Sequence, residues 1–134
     1  MSARLLSAAS VLALISASAL ADSFNRISTF PVIANMAAGE DVSRASSAEI
    51  ISVSEDGNRL IYTDSPLGVL GLIDITDPRA PKPLGNVVLD GEPTTAHIIG
   101  DRAFVAVNTS ASYTQPSGRL VTVDIASARE IASC

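Results

Sequence analysis

Acidic and amide side chains recur where predicted strands begin or end. Carboxylate and amide oxygens are the ligands that a hard cation such as Ca²⁺ prefers. In a sheet whose strands alternate in direction, the start of one strand lies beside the end of the next. The candidate calcium ligands are therefore Glu49, Asp64, Glu92 and Asn108, with Glu40 and Asp41 on the preceding loop.

A solvated acidic rim is the simpler interpretation of the same residues, and we favour it. No compact loop of the D-x-D-x-D-G type is present in the sequence, which weakens the metal interpretation. Calcium remains the one cofactor that the residue types suggest.

The single histidine, His97, lies between apolar neighbours in a predicted strand. This environment is typical of a histidine in a core or an interface. A Ser-His-Asp triad would need His97, yet no Gly-x-Ser-x-Gly nucleophile elbow occurs. Asp74 and Asp124 each precede a turn at matching positions, which indicates turn capping. We therefore predict no catalytic residues.

The elements that position these side chains form a repeat. Predicted strands in the first unit cover residues 48–54, 59–63, 69–75 and 84–89, and those in the second cover 95–99, 102–108 and 119–125, with a fourth beginning at 130–134. The spacing between units is 43 residues at Arg59 and Arg102, and 50 at Asp74 and Asp124. A longer loop at 109–118 accounts for the difference.

Repeats of about 40–50 residues with four strands each are the signature of a β-propeller. We predict an all-β propeller fragment with blades at residues 48–93 and 94–134, the second blade incomplete. An irregular strand near 24–33 and a loop to residue 47 precede them. Since closure takes roughly four to eight blades, we expect a longer parent protein. The alternative is a self-contained β-sandwich.

Residues 1–21 have the pattern of a cleaved signal peptide. Arg4 provides the positive region, an apolar stretch follows, and Ala19-Leu20-Ala21 fits the cleavage pattern. We predict a periplasmic or secreted protein; an uncleaved anchor is the alternative.

The charge balance of the chain argues against some partners. Without Arg4, 8 basic residues face 14 acidic ones, a net charge near −6 that disfavours nucleic acids and anionic membranes. One cysteine, Cys134, excludes an internal disulfide.

Several short motifs resemble a family of exported bacterial propellers. They are Ala48-Glu49-Ile50-Ile51, Asp74-Ile75-Thr76-Asp77-Pro78 with Pro81, Gly91-Glu92-Pro93-Thr94 and Val107-Asn108-Thr109-Ser110. The chain resembles proteins called "esterase-like activity of phytase" proteins, together with choice-of-anchor and LVIVD-repeat propellers. The resemblance implies a parent several hundred residues long, with any esterase-like region further along. One fold hosts many functions, so the motif is poor evidence of activity.

Three functional hypotheses follow. The first is the N-terminal scaffold or binding module of an exported propeller, whose partners are the remaining blades and an unidentified small molecule. The second is a calcium-assisted phosphoesterase with acidic residues at the channel mouth. The third is a small β-sandwich that binds a partner protein.

Overall fold

The computed structural model describes residues 24–134. The predicted signal peptide therefore lies outside the described residues. The described part is nearly all-β and forms two antiparallel four-stranded sheets, with no closed barrel among residues 24–134. No helix in this part is long and apolar enough to cross a membrane.

The first sheet contains four strands in chain order: β1 Ala48–Val53, β2 Arg59–Asp64, β3 Val69–Asp74 and β4 Lys82–Val88. Valine, isoleucine and leucine dominate these strands, and β-branched residues favour extended backbone. The turn between β1 and β2 contains Gly57 with φ +70°, a conformation that is inexpensive only for glycine. Pro83 lies on the edge strand β4, where its missing N–H costs least.

The second sheet repeats this meander with β5 Glu92–Ile99, β6 Arg102–Asn108, β7 Gly118–Asp124 and β8 Arg129–Ser133. The fourth strand that the sequence predicts to begin at residues 130–134 is present as β8, which pairs with β7 from Val121 to Asp124. The turn before β8 closes with Ala128 at φ 53°, which brings Arg129 opposite Asp124. Strand β5 also begins earlier than predicted, and its register shifts between Pro93 and Thr95.

A single apolar core joins the two sheets. Ile61, Leu70 and Leu72 of the first sheet are fully buried, as are Val105, Val121 and Val123 of the second. In a strand, successive side chains point to opposite faces. One face of each sheet therefore supplies this shared core, while the opposite faces are only partly covered.

The N-terminal segment does not form the predicted strand at 24–33. It is irregular except for one short 3₁₀-helix, Val32–Asn35, which follows Pro31. Asn35 is buried against the outer face of the first sheet, the face that points away from the second sheet. Residues 36–47 contain turns but no strand or helix, in agreement with the predicted loop.

Candidate functional site

The predicted site residues lie where first strands start and second strands end. Ala48 pairs with Asp64 in the first sheet, and Glu92 pairs with Asn108 in the second. The expected neighbourhood within each sheet is therefore present. We call this end of the two sheets the acidic edge, defined by Glu49, Asp64, Glu92 and Asn108.

Two of these four side chains, Glu49 and Glu92, occupy equivalent places in the repeat. Ser65 Oγ lies 3.1 Å from Glu49 Oε2, and Asn108 Nδ2 lies 3.3 Å from Glu92 Oε2. Glu49 and Glu92 are 43 residues apart, as are Ser65 and Asn108. Each glutamate therefore accepts a hydrogen bond from a residue at the end of the neighbouring strand: Ser65 directly follows β2, and Asn108 is the last residue of β6. The sequence contained this signal, since 43 is also the spacing of Arg59 and Arg102.

Ser65 also connects the two sheets. Its Oγ lies 2.8 Å from the carbonyl oxygen of Pro93, which belongs to β5. The hydroxyl has one proton, so the Pro93 carbonyl and the Glu49 carboxylate compete for it. The contact fixes the start of β5 beside the end of β2, and it was not predicted from the sequence.

Asp64 is separated from the other acidic side chains because it is fully buried. Its Oδ2 accepts from Ser46 Oγ over 2.9 Å, and its Oδ1 accepts from the Leu67 N–H over 3.1 Å. A buried carboxylate needs such partners, since desolvation without them is costly. Asp64 thus holds together the loop that precedes β1 and the loop that follows β2.

The acidic edge consists of pairs, and a metal cluster is not formed there. Within residues 24–134 no group of three or more His, Cys, Asp or Glu side chains is placed to hold a metal ion. Glu40 and Asp41 cap their own loop, accepting from the backbone N–H groups of Ala37 and Ser43. Hydrogen bonds from the Ser43 side chain and backbone lower the pKa of Asp41. Calcium binding stays a prediction that this arrangement does not favour.

His97 lies at the junction of the sheets. Its Nδ1 is 3.3 Å from Ser52 Oγ, and the same oxygen accepts from the Ile98 N–H over 3.1 Å. Ser52 is buried, whereas the imidazole is exposed. His97 is therefore an interface histidine, one of the two environments predicted. No carboxylate hydrogen-bonds to its ring in the described part of the chain.

The opposite end of the sheets contains the capping aspartates. Asp74 Oδ1 accepts from the Thr76 N–H over 2.9 Å, and Asp124 Oδ1 accepts from the Ser127 N–H over 2.7 Å. Hydrogen bonds from the side chain and then the backbone of the same residue, Thr76 or Ser127, lower the pKa of each aspartate. The predicted turn-capping role is confirmed.

Each capping aspartate is also opposite basic residues on both neighbouring strands. Asp74 pairs with Arg59 and Lys82, and Asp124 pairs with Arg102 and Arg129. Within residues 24–134 none of these register partners forms a salt bridge, and the positive charges of Lys82, Arg59 and Arg102 contribute only a smaller part of the lowered pKa values of Asp74 and Asp124. Arg59 additionally donates to the carbonyl oxygen of Ile125, which joins the two sheets at this end. At this end, Arg59 and the two capping aspartates therefore have structural hydrogen-bond partners.

Comparison with known proteins gives no family model that matches the chain and no curated protein significantly similar to it.

Proposed function

We propose that the chain is the N-terminal scaffold or binding module of an exported β-propeller protein. The observation that carries this proposal is the repetition of contacts between the two sheets. Strand order, the glutamate contacts at the acidic edge and the capping aspartates recur in both. Contact-for-contact repetition is expected of stacked repeat units.

The way the sheets meet also supports the proposal. Close backbone contacts between them are made mainly by β5, which approaches β1, β2 and β3. Propeller blades converge at their inner strands and separate outwards, whereas the sheets of an aligned sandwich stay about 10 Å apart. Cα atoms of β5 lie within 8 Å of Cα atoms in these three strands, which is closer than the spacing of an aligned sandwich and supports the proposal.

The outer faces of both sheets expose aliphatic side chains. Ile51 and Val53 of the first sheet are 62% and 47% exposed, and Ile99 and Leu120 of the second are 61% and 44% exposed. Further blades would cover such faces in a propeller, because each blade buries its apolar faces only against its neighbours. The esterase- or phytase-like activity of a parent protein rests on the resemblance alone.

A β-sandwich that binds a partner protein is the second candidate. It is favoured by the continuous core between the sheets and by the N-terminal segment, which covers part of the outer face of the first sheet. In this case residues 24–134 would be stable without further blades.

Sedimentation of the chain without residues 1–21 separates the two candidates. The propeller proposal expects concentration-dependent self-association through the outer faces. It also expects that Ile51→Lys and Leu120→Lys restore a monomer. Ala80→Lys, a substitution of an exposed residue in the loop between β3 and β4, is the matched control and should leave self-association unchanged. A wild-type monomer at all concentrations, with cooperative unfolding, would favour the sandwich.

Calcium tests the remaining hypothesis. If the acidic edge binds Ca²⁺, the melting temperature of the chain should rise with added calcium and fall with a chelator. The Glu92→Gln and Asn108→Ala variants should lose that response. An unchanged melting temperature in both solutions would remove the phosphoesterase hypothesis for this part of the chain.

A further inference from the structure

The loop between β6 and β7 distinguishes the second sheet from the first. It covers residues 109–117, whereas its counterpart between β2 and β3 covers only residues 65–68, so it is five residues longer. In repeat proteins, an insertion confined to one repeat commonly marks a binding face. We call this segment, residues 109–117, the inserted loop.

The inserted loop is ordered by its own hydrogen bonds. At its base, the Thr109 N–H donates to the Ser117 carbonyl over 3.0 Å, and the Ser117 N–H donates to Ser110 Oγ over 2.9 Å. Nearer the tip, Ser112 and Gln115 form an isolated antiparallel bridge. Residues ordered before binding lose less entropy when a ligand arrives.

The tip of the inserted loop presents Tyr113 to solvent, where its side chain is fully exposed. A tyrosine makes most of its contacts through the apolar faces of its ring, so full exposure leaves those faces unused. Tyrosine also gives a large contact area for a small loss of conformational entropy. The position therefore suits contact with another molecule.

A concave pocket of about 370 Å³ lies beside Tyr113. Its lining is formed by Glu92, Asn108, Ser110, Ala111, Ser112, Tyr113 and Pro116. The volume is within the range of small-molecule sites, which is roughly 300–1,000 Å³. Glu92 and Asn108 come from the ends of β5 and β6, so the sheet and the inserted loop build the pocket together.

The charges of the lining restrict the class of ligand. Glu92 is the single ionisable acid and no Lys, Arg or His side chain lines the pocket, so phosphate and carboxylate groups would be repelled. Asn108 is already engaged, since its Oδ1 accepts from the Ser110 N–H over 3.0 Å and its Nδ2 donates to Glu92. A calcium ion would need six to eight oxygen ligands, more than these groups leave free.

We propose that this pocket binds a neutral saccharide. The Glu92 carboxylate has lone pairs left to accept hydrogen bonds from sugar hydroxyls. The Ser110 hydroxyl already donates to the Ser117 carbonyl and accepts from the Ser117 N–H, which leaves it one lone pair for a sugar hydroxyl. Ser112 Oγ shares one hydrogen bond with Thr114 Oγ1 and has a lone pair left for the ligand. The ring of Tyr113 provides a flat apolar surface for the C–H face of a pyranose. Because the pocket lies within the second sheet and its loop, this proposal does not depend on whether the sheets are propeller blades.

Tyrosine fluorescence provides a direct assay, because the sequence contains two tyrosines and no tryptophan. Tyr62 is buried in the first sheet and Tyr113 lies at the pocket. The probes are the neutral tetrasaccharides maltotetraose, cellotetraose and tetra-N-acetylchitotetraose. Each is titrated to about 20 mM, well above a weak Kd of about 1 mM. We expect a saturable change in fluorescence with at least one of them. A galacturonate tetramer and CaCl₂ are the charged comparisons.

Three variants test the role of the pocket, with binding followed by NMR so that loss of the fluorophore does not matter. Tyr113→Ala should weaken binding at least about tenfold, the loss expected of an aromatic anchor, while Tyr113→Phe should retain it. Phe24→Ala is the matched control, since Phe24 is an exposed aromatic at 97% and lies outside the pocket. Equal losses in Tyr113→Ala and Phe24→Ala would overturn the proposal. So would saturable binding of the galacturonate tetramer or Ca²⁺ alone, or no saturation with any neutral probe.

Discussion

Asn35 Nδ2 donates a hydrogen bond to Tyr62 Oη over 3.0 Å, which ties the N-terminal segment to the first sheet. The same amide also donates to the Leu72 carbonyl over 3.0 Å and accepts from the Gly85 N–H over 3.1 Å. Leu72 and Gly85 are partners in the ladder of β3 and β4, next to a register shift. The Asn35 amide is thus inserted between two backbone groups at this irregularity and bridges them.

Replacing Asn35 by alanine should destabilise the protein by about 2–4 kcal/mol, because buried donors and acceptors would lose their partner. Urea unfolding measures the change in free energy. Asn58→Ala is the control, since Asn58 is exposed in a turn and its side chain donates only to Asp56 in the described structure. If Asn35→Ala lowers the free energy of unfolding no more than Asn58→Ala does, the contact of the N-terminal segment with the first sheet contributes little to stability.

Gly71 is required by the ring of Tyr62 on the neighbouring strand. A Cβ atom at Gly71 would lie 2.1 Å from Tyr62 Cζ, far inside van der Waals contact. Gly71→Ala should therefore cost about 1–3 kcal/mol, the usual effect of overpacking a core. In a Tyr62→Leu background the same substitution should cost much less, because the ring is gone. A double-mutant cycle from thermal unfolding measures this coupling, and additive effects would contradict it.

The strands were predictable because each has a local signal. The β-branched runs and the Asp56-Gly57 turn lie within short windows of sequence, and the 43-residue spacing shows that such windows recur. The bridge made by Asn35 was not predictable, because it depends on a register shift between β3 and β4. Its partners there, Leu72 and Gly85, are 37 and 50 residues away in the sequence. An isolated asparagine in a polar loop carries no sign of such a contact.

The candidate site likewise contains features that could be predicted from the sequence and features that could not. The recurrence of Glu49 and Glu92 could be read from the sequence, and so could the caps formed by Asp74 and Asp124. The burial of Asp64 could not, because its hydrogen-bond partners Ser46 and Leu67 come from two loops that are distant in the sequence from each other. Loop contacts of this kind leave no local pattern, so a residue expected on an exposed rim is buried.

The two capping aspartates should make stability depend on pH in acid. Their pKa values are lowered in the folded state by hydrogen bonds from Thr76 and Ser127. A group with a depressed folded-state pKa stabilises the protein above its unfolded-state pKa, and this contribution is lost as the pH falls through the folded-state pKa. We therefore expect the free energy of unfolding to decrease below about pH 4.

Asp124→Asn provides the test, because asparagine keeps an acceptor oxygen but does not titrate. The variant should be less stable than the wild type at neutral pH, and the difference should shrink as the wild-type carboxylate is protonated. Urea unfolding at a series of pH values down to about 2.5 follows the difference. A difference that stays constant over this range would mean that the charge of Asp124 does not contribute to the turn.

Ser52 and His97 lie within hydrogen-bond distance, and their roles can be separated by substitution. Ser52→Ala leaves the buried Ile98 N–H without its acceptor, which should cost about 1–3 kcal/mol. His97→Ala removes an exposed ring and should cost less, within about 0.5 kcal/mol. Thermal unfolding measures both changes in stability.

Hydrolysis of p-nitrophenyl acetate tests whether Ser52 and His97 also have a catalytic role. We expect neither substitution to change the hydrolysis rate, because four surface cavities of about 260–660 Å³ in the described part of the chain are lined by other residues. Loss of hydrolysis in both variants, with stability retained in His97→Ala, would instead identify the pair as a nucleophile and its base.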